Sequence, residues 1–161
     1  MRRLALLSVL SAVVTLCACS VSPKVSSDSA PGVNFTSYKT FTFISQAPAG
    51  GNPVAVERIQ QNVGSALAAK GYTQGQPGDL TVVTTVGAQD RTQINTWGYW
   101  GLRTDVYQYT EGKLAVDVFD TKTRKALWHG QATETIDPNK PDPAAIDAAV
   151  TSVMASFPAR G

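Results

Sequence analysis

The chain has one histidine, His129, in 161 residues. A hydrolase would set such a group beside a carboxylate and a nucleophile. Asp117 is the candidate carboxylate, and Gln131 and Thr133 share the parity of His129. Asp120, Asp105 and Glu134 are further acids that could pair with Asp117 for general acid–base work. Each group also has a plainer reading. His129 and Asp117 suit the solvated polar face of a sheet, and Asp120 opens a turn, where aspartate accepts local backbone hydrogen bonds. Zinc sites typically draw on several His or Cys ligands, so no metal is expected, and no cofactor either. The glycines around 97–101 are not a phosphate loop, because no Lys-Ser/Thr and no helix start follow them. The expectation is a protein that is not an enzyme, with an envelope hydrolase using Asp117 and His129 as the alternative.

Binding is better served than catalysis. Trp97-Gly98-Tyr99-Trp100-Gly101 holds two of the three tryptophans, and Arg103 follows. Aromatics separated by glycines can stack on a ligand or face a membrane, and an arginine adds a cation. Two readings stand side by side. In one, Trp97, Tyr99, Trp100 and Arg103 bind a glycan, an envelope protein or the lipid surface. In the other, their loop folds back and caps the open face of a sheet.

The N-terminus carries the clearest chemistry. Arg2 and Arg3 precede an uncharged, mostly apolar run from Leu4 to Leu16. That run is shorter than the ~20 residues needed to span a bilayer, so it reads as the core of a signal peptide. Leu16-Cys17-Ala18-Cys19 then resembles a bacterial lipobox, in which a thiolate, the soft nucleophile, takes the lipid. Cys17 competes as acceptor, but it would put bulky Leu16 at the cleavage side, so Cys19 is assigned. Loss of residues 1–18 removes Arg2 and Arg3 and lowers the formal charge from +2 to 0. The remaining cysteine is lipidated, which leaves no thiol for a disulfide within one chain. Several acyl chains, palmitate among them, give firm attachment at ~0.8 kcal/mol per buried methylene. Ser20, in place of an aspartate, favours the outer membrane on the periplasmic side, by analogy with lipoprotein sorting. Charged residues make up only 16% of the chain, below the usual quarter, which argues against a nucleic-acid partner that works through phosphates.

The elements that must position these groups follow from periodicity. Residues 20–32 contain five serines and two prolines, which predicts a flexible tether over 19–32. Residues 33–161 then form one domain. Tyr38–Ser45 alternates as a strand. Asn52-Pro53 opens a helix whose apolar face is Val56, Ile59, Val63 and Leu67, and Gly71 ends it. Gly64 flanks that stripe, and close helix–sheet packing is its expected reason. Leu80–Val86 is a β-branched strand, parallel to the first through a right-handed crossover. Gln89–Thr104 reads as a long loop. Val106–Tyr109 and Leu114–Phe119 read as a hairpin turning at Glu111-Gly112, which puts Tyr107 and Tyr109 on the core face.

The strand from Ala126 has two possible registers. One would pair Val118 with Leu127 across a four-residue loop, and the other would pair Val118 with Ala126 across a five-residue loop. The mostly polar parity of His129, Gln131 and Thr133 favours the longer loop, with Trp128 inward and His129 outward, diagonal to Asp117. Asp142-Pro143 starts a second helix with Ile146, Val150, Val153 and Phe157 on one face. The result is an α+β two-layer sandwich: a mixed, mostly antiparallel sheet of about five strands with two helices on one face, in the order β-α-β-β-β-β-α.

Several pieces in combination resemble bacterial lipoproteins carrying domain of unknown function 4136. They are the lipobox at Cys19, Phe35-Thr36-Ser37-Tyr38-Lys39-Thr40-Phe41, Lys70-Gly71-Tyr72, Asp79-Leu80, the Trp/Gly/Tyr run at 97–101, Tyr109-Thr110-Glu111-Gly112-Lys113-Leu114, Val116-Asp117, Asp120-Thr121-Lys122-Thr123, Leu127-Trp128-His129-Gly130 and Phe157-Pro158. The resemblance implies the fold and an envelope address, and it implies no activity and no catalytic residue. His129 departs from it, standing where the family pattern implies a basic residue, often arginine.

Overall fold

The computed structural model describes residues 22–45, 52–97, 103–137, 139–140 and 142–160. A six-stranded sheet carries two helices on one face. The strands are β1 (Lys24–Ser29), β2 (Thr40–Ser45), β3 (Thr73–Gln74), β4 (Leu80–Trp97), β5 (Arg103–Asp120) and β6 (Ala126–Ile136). The helices are α1 (Pro53–Ala69) and α2 (Pro143–Ala155). The spatial order is β1-β6-β5-β4-β2-β3, with β2 parallel to β4 and to β3 and the other pairs antiparallel.

Local chemistry accounts for both helices. The Asn52 side chain accepts from the amides of Val54 and Ala55, Pro53 occupies the first turn, and Gly71 takes φ +91° just past the end. Asp142 caps α2 in the same way by accepting from Ala144 N at 2.9 Å. Val56, Ile59, Val63 and Leu67 are the buried residues of α1, as their spacing predicts. Ile59, Val63 and Leu67 share one buried cluster with Phe41, Leu80, Val82, Val116, Val118 and Trp128. The Asp147 carboxylate joins the helices by accepting from Arg58 and Asn62.

The strand pattern differs from expectation in three ways. First, Lys24–Ser29, expected within the tether, is an edge strand antiparallel to β6. Every residue of it is exposed, so backbone pairing rather than apolar burial holds it. Second, Glu111-Gly112 is not a turn. β5 runs through both residues, Gly112 pairs with Ala88, and Leu114 pairs with Val86. Gln89–Trp97, expected as loop, is the continuation of β4. Tyr107 therefore lies opposite Gln93 and is 54% exposed, away from the core it was expected to enter. Third, β6 takes neither expected pairing: Val118 pairs with Trp128 and Phe119 with Ala126, around a bulge. The five-residue loop and the inward Trp128, which is 2% exposed, do hold. The short β3 and the edge strand β1 are additions, while two expected strands merge into β5.

Candidate functional site

Three regions collect the groups that could do chemistry. The first is the sheet face opposite the helices. Asp117 on β5 and His129 on β6 are direct cross-strand partners, not diagonal ones, and His129 Nδ1 lies 2.6 Å from Asp117 Oδ1. Asp28 on β1 is the partner of His129 on its other side, so an imidazole sits between two acidic positions. One row on, Gln131 donates to Ser26 Oγ at 3.0 Å. The His129 and Asp117 side chains are 45% and 31% exposed, and an ion pair that open contributes about 0–1 kcal/mol. No hydroxyl or thiol is bonded to this pair among the described residues, so the dyad lacks a positioned nucleophile.

The structure does not bring the other candidate acids to this pair. Asp105 lies far along β5, opposite Asn95. Asp120 ends β5 and accepts from Thr123 N at 2.7 Å and from the Tyr38 hydroxyl at 3.0 Å. The Thr123 amide is the main cause holding the Asp120 carboxyl below its ordinary value. Asp79 neighbours it and accepts from Lys39 N and Thr40 N at 2.8 and 3.0 Å. Those amides likewise lower its carboxyl, the Lys39 bond most. These acids tie the start of β2 to the β5–β6 turn, which is structural work. Among the described residues no group of three or more His, Cys, Asp or Glu side chains could hold a metal ion.

The second region is a ribbon. The described partners of β4 and β5 stop at Ser45↔Thr84 on one side and Thr110↔Ile136 on the other. Past the last three-stranded row, β4 and β5 continue alone through seven pairs, from Arg91↔Tyr109 to Trp97↔Arg103. At the usual rise this two-stranded arm extends about 20 Å. Ile94 and Val106 form one cross-strand pair on it, 62% and 59% exposed, with Tyr107 on the opposite face. Trp97 and Arg103 are its last described backbone pair. Tyr99 and Trp100 lie outside the described residues. Sequence reasoning missed the apolar exposure of Ile94 and Val106. Their alternation with Gln93, Asn95 and Asp105 was the available signal, hidden by treating 89–104 as a loop.

The third region is a cleft of about 800 Å³ between the N-terminal halves of α1 and α2 and the floor of β4, β5 and β6. Ile59, Val86, Leu114, Ile136 and Ile146 are among its walls, and Glu134 opens onto it from β6. Burial, and then the Asp142 charge, raise the Glu134 carboxyl above its ordinary value.

The family profile of domain of unknown function DUF4136 matches residues 25–159. The chain belongs to the DUF4136 family. No curated protein matches it. Among solved structures, a DUF4136 family protein from Bacteroides thetaiotaomicron is similar at TM-score 0.54 and 14% identity, over 84% of this chain and 96% of that one. A PelC dodecamer from Paraburkholderia phytofirmans is similar at TM-score 0.55 and 14% identity, over 86% of this chain and 99% of that one. A PDZ domain protein from Parabacteroides distasonis reaches TM-score 0.62 at 15% identity over 85% of this chain, which spans about a third (36%) of its length. At such identities the likeness is one of fold. The DUF4136 match starts at Val25, inside β1, so the edge strand falls within the family's domain. Among the described residues no helix is long and apolar enough to cross a membrane.

Proposed function

We propose that this DUF4136 protein is a lipid-anchored envelope module that binds through its β4–β5 ribbon. The lipobox at Cys19 would fix the chain to the outer membrane, facing the periplasm. Residues 20–23 would link the anchor to β1. The domain would act by contact rather than by catalysis.

The ribbon carries this reading. An isolated two-stranded hairpin is at best marginally stable in water, yet this one extends past the sheet with Ile94, Val106 and Tyr107 exposed. Exposed apolar side chains and unpaired strand edges are costly on a soluble surface unless something covers them. Trp97, Tyr99, Trp100 and Arg103, within or between the same strands, would extend the contact. An envelope protein or a glycan fits these groups. Because PelC is a dodecamer, a second copy of this chain is a further arm of the test.

A photo-crosslinking residue at Ile94 or Tyr107 in the full-length chain, expressed in its native host, tests the reading. Discrete products are expected at these positions and not at Lys122, in the turn that follows the opposite end of β5. Equal labelling at all three would overturn the ribbon as the contact. Mass spectrometry of the N-terminal peptide tests the anchor, and an unmodified Cys19 or a chain still starting at Met1 would refute it.

A further inference from the structure

We infer that the cleft between the helix N-termini and the sheet is a binding site for an aliphatic chain that ends in a protonated amine. This site is separate from the ribbon and does not depend on its function.

The cleft exists because the sequence places small residues on both layers at this end. Ala55 on α1, Ala149 on α2, Ala132 on β6 and Gly112 on β5 all line it. Leucines in their place would close the interface as the core is closed at its other end. The volume of about 800 Å³ falls in the range of small-molecule sites. Among the described residues the lining includes no aromatic, so these offer no stacking platform, and the branched aliphatic walls suit a flexible alkyl chain.

Charge decides the polar end of the ligand. Among the described residues, Glu134, Asp137 and Asp142 line the cleft against a single cation, Lys140. Asp137 is committed to the Asn139 amide and Asp142 to the Ala144 amide. Glu134 has no hydrogen-bond or ion-pair partner among the described residues, although it is half-buried. A partly desolvated carboxylate without a partner is costly. An anion gains little here, because Asn52 and Asp142 already accept the first free amides of the two helices. An ammonium group is the complement of Glu134. Its arrival would reverse the upward push on that carboxyl.

The test uses the chain from residue 19 onward with Cys19→Ser, which retains every described element of the fold, since the first of these begins at Lys24. Octylamine, octanol and octanoate are titrated at neutral pH below their micellar concentrations and followed by NMR on the Ala132, Ile136 and Ala149 methyl groups. Octylamine is expected to bind at least about tenfold tighter than octanol or octanoate, and hexylamine more weakly by about fourfold per methylene lost. Glu134→Gln should reduce octylamine to the level of octanol, and Ala149→Leu should weaken all three ligands. Glu134 should titrate at lower pH in the amine complex than in the free protein. Thermal midpoints check that both variants remain folded. Octanoate binding as well as octylamine would overturn the inference. So would unchanged octylamine affinity in Glu134→Gln, or the absence of shifts in the cleft methyls.

Discussion

Replacing Gly130 by alanine probes the packing that fixes β6 against the helices. Gly130 sits on the helix-facing side of β6, paired with Val116 and Ser27. A Cβ there would lie 2.2 Å from Trp128 Cη2, 2.7 Å from Trp128 Cζ2 and 2.8 Å from Val153 Cγ1. Carbon atoms rest about 3.5–4.0 Å apart, so the indole would have to move by roughly 1 Å or more. It has little room. Trp128 packs edge-on against Phe157 at 5.1 Å and 86°, and Phe157 in turn meets Phe35 at 5.5 Å and Tyr72 at 5.6 Å. Overpacking of this kind costs about 1–3 kcal/mol, less about 0.5 kcal/mol returned by removing a glycine from a strand. A net loss of about 0.5–2.5 kcal/mol shifts the thermal midpoint of a domain this size down by about 1–10 °C.

Calorimetry and urea unfolding of Gly130→Ala and Gly87→Ala make the comparison. Gly87 lies in β4, where an added Cβ would meet nothing within 4 Å and φ is not positive, so its alanine variant should be neutral or up to about 1 kcal/mol more stable. Adding Trp128→Phe to Gly130→Ala removes the clashing ring atoms. The double variant should therefore lose less than the sum of the two single losses. Gly130→Ala unfolding at the wild-type midpoint would refute the packing argument, as would strict additivity with Trp128→Phe.

Gly64→Ala should stabilise the protein by about 1 kcal/mol in urea titration, because the added methyl meets only Phe43 and Phe41 carbons at 3.6–4.0 Å and α1 gains a better helix former. Asp79 is held below its ordinary 3.8 by the Lys39 and Thr40 amides. Its contribution is thus complete above that pH and lost as pH falls through the lower folded value. Asp79→Asn should flatten the acid limb of stability against pH below about pH 4, as read from urea midpoints. His129→Gln should change stability by no more than about 1 kcal/mol, since its pair with Asp117 is open to solvent. Joining Asp90 to Thr110 by a two-residue Asn-Gly turn, without the ribbon, should leave the midpoint within about 2 °C, because none of the described side chains between Arg91 and Tyr109 belongs to the buried core.

Much of the helix layer was legible in the sequence because its signals are local. Asn52-Pro53 and Asp142-Pro143 carry both the cap and the first-turn proline, and four residues of α1 at three- and four-residue spacing are the ones buried. Trp128 was legible for a related reason: its parity has small neighbours, while the other parity is polar. The bulge that pairs Phe119 with Ala126 was hidden, since one extra residue leaves no mark in composition. Gly112 misled outright. A glycine beside a glutamate between apolar runs reads as a turn, but here it lies within a strand, where a Cβ would come within 2.9–3.3 Å of the Ile136 side chain. That substitution of meaning reversed the face assigned to Tyr107. β1 had no apolar alternation at all, because an exposed edge strand is bound through its main chain. Glu134 was visible as an acid, but its place in a cleft without a bonding partner among the described residues depends on four other elements.

The two ends of the layer interface are built on opposite plans, and this connects the cleft with the ribbon. At one end Trp128, Phe157, Tyr72 and Phe35 fill the space between helices and sheet. Hydrogen bonds reinforce it there, with Arg160 N donating to Lys70 O at 3.0 Å and the Tyr72 hydroxyl to Pro158 O at 3.3 Å. Dense packing resists deformation, so the C-terminal ends of α1 and α2 are clamped. At the other end small residues line the cleft, and the same β4 and β5 that floor it continue outward as the ribbon. Val86 and Leu114 face the cleft a few residues before Arg91 and Tyr109 begin the unsupported pairs. Any group seated in the cleft therefore rests at the root of the arm.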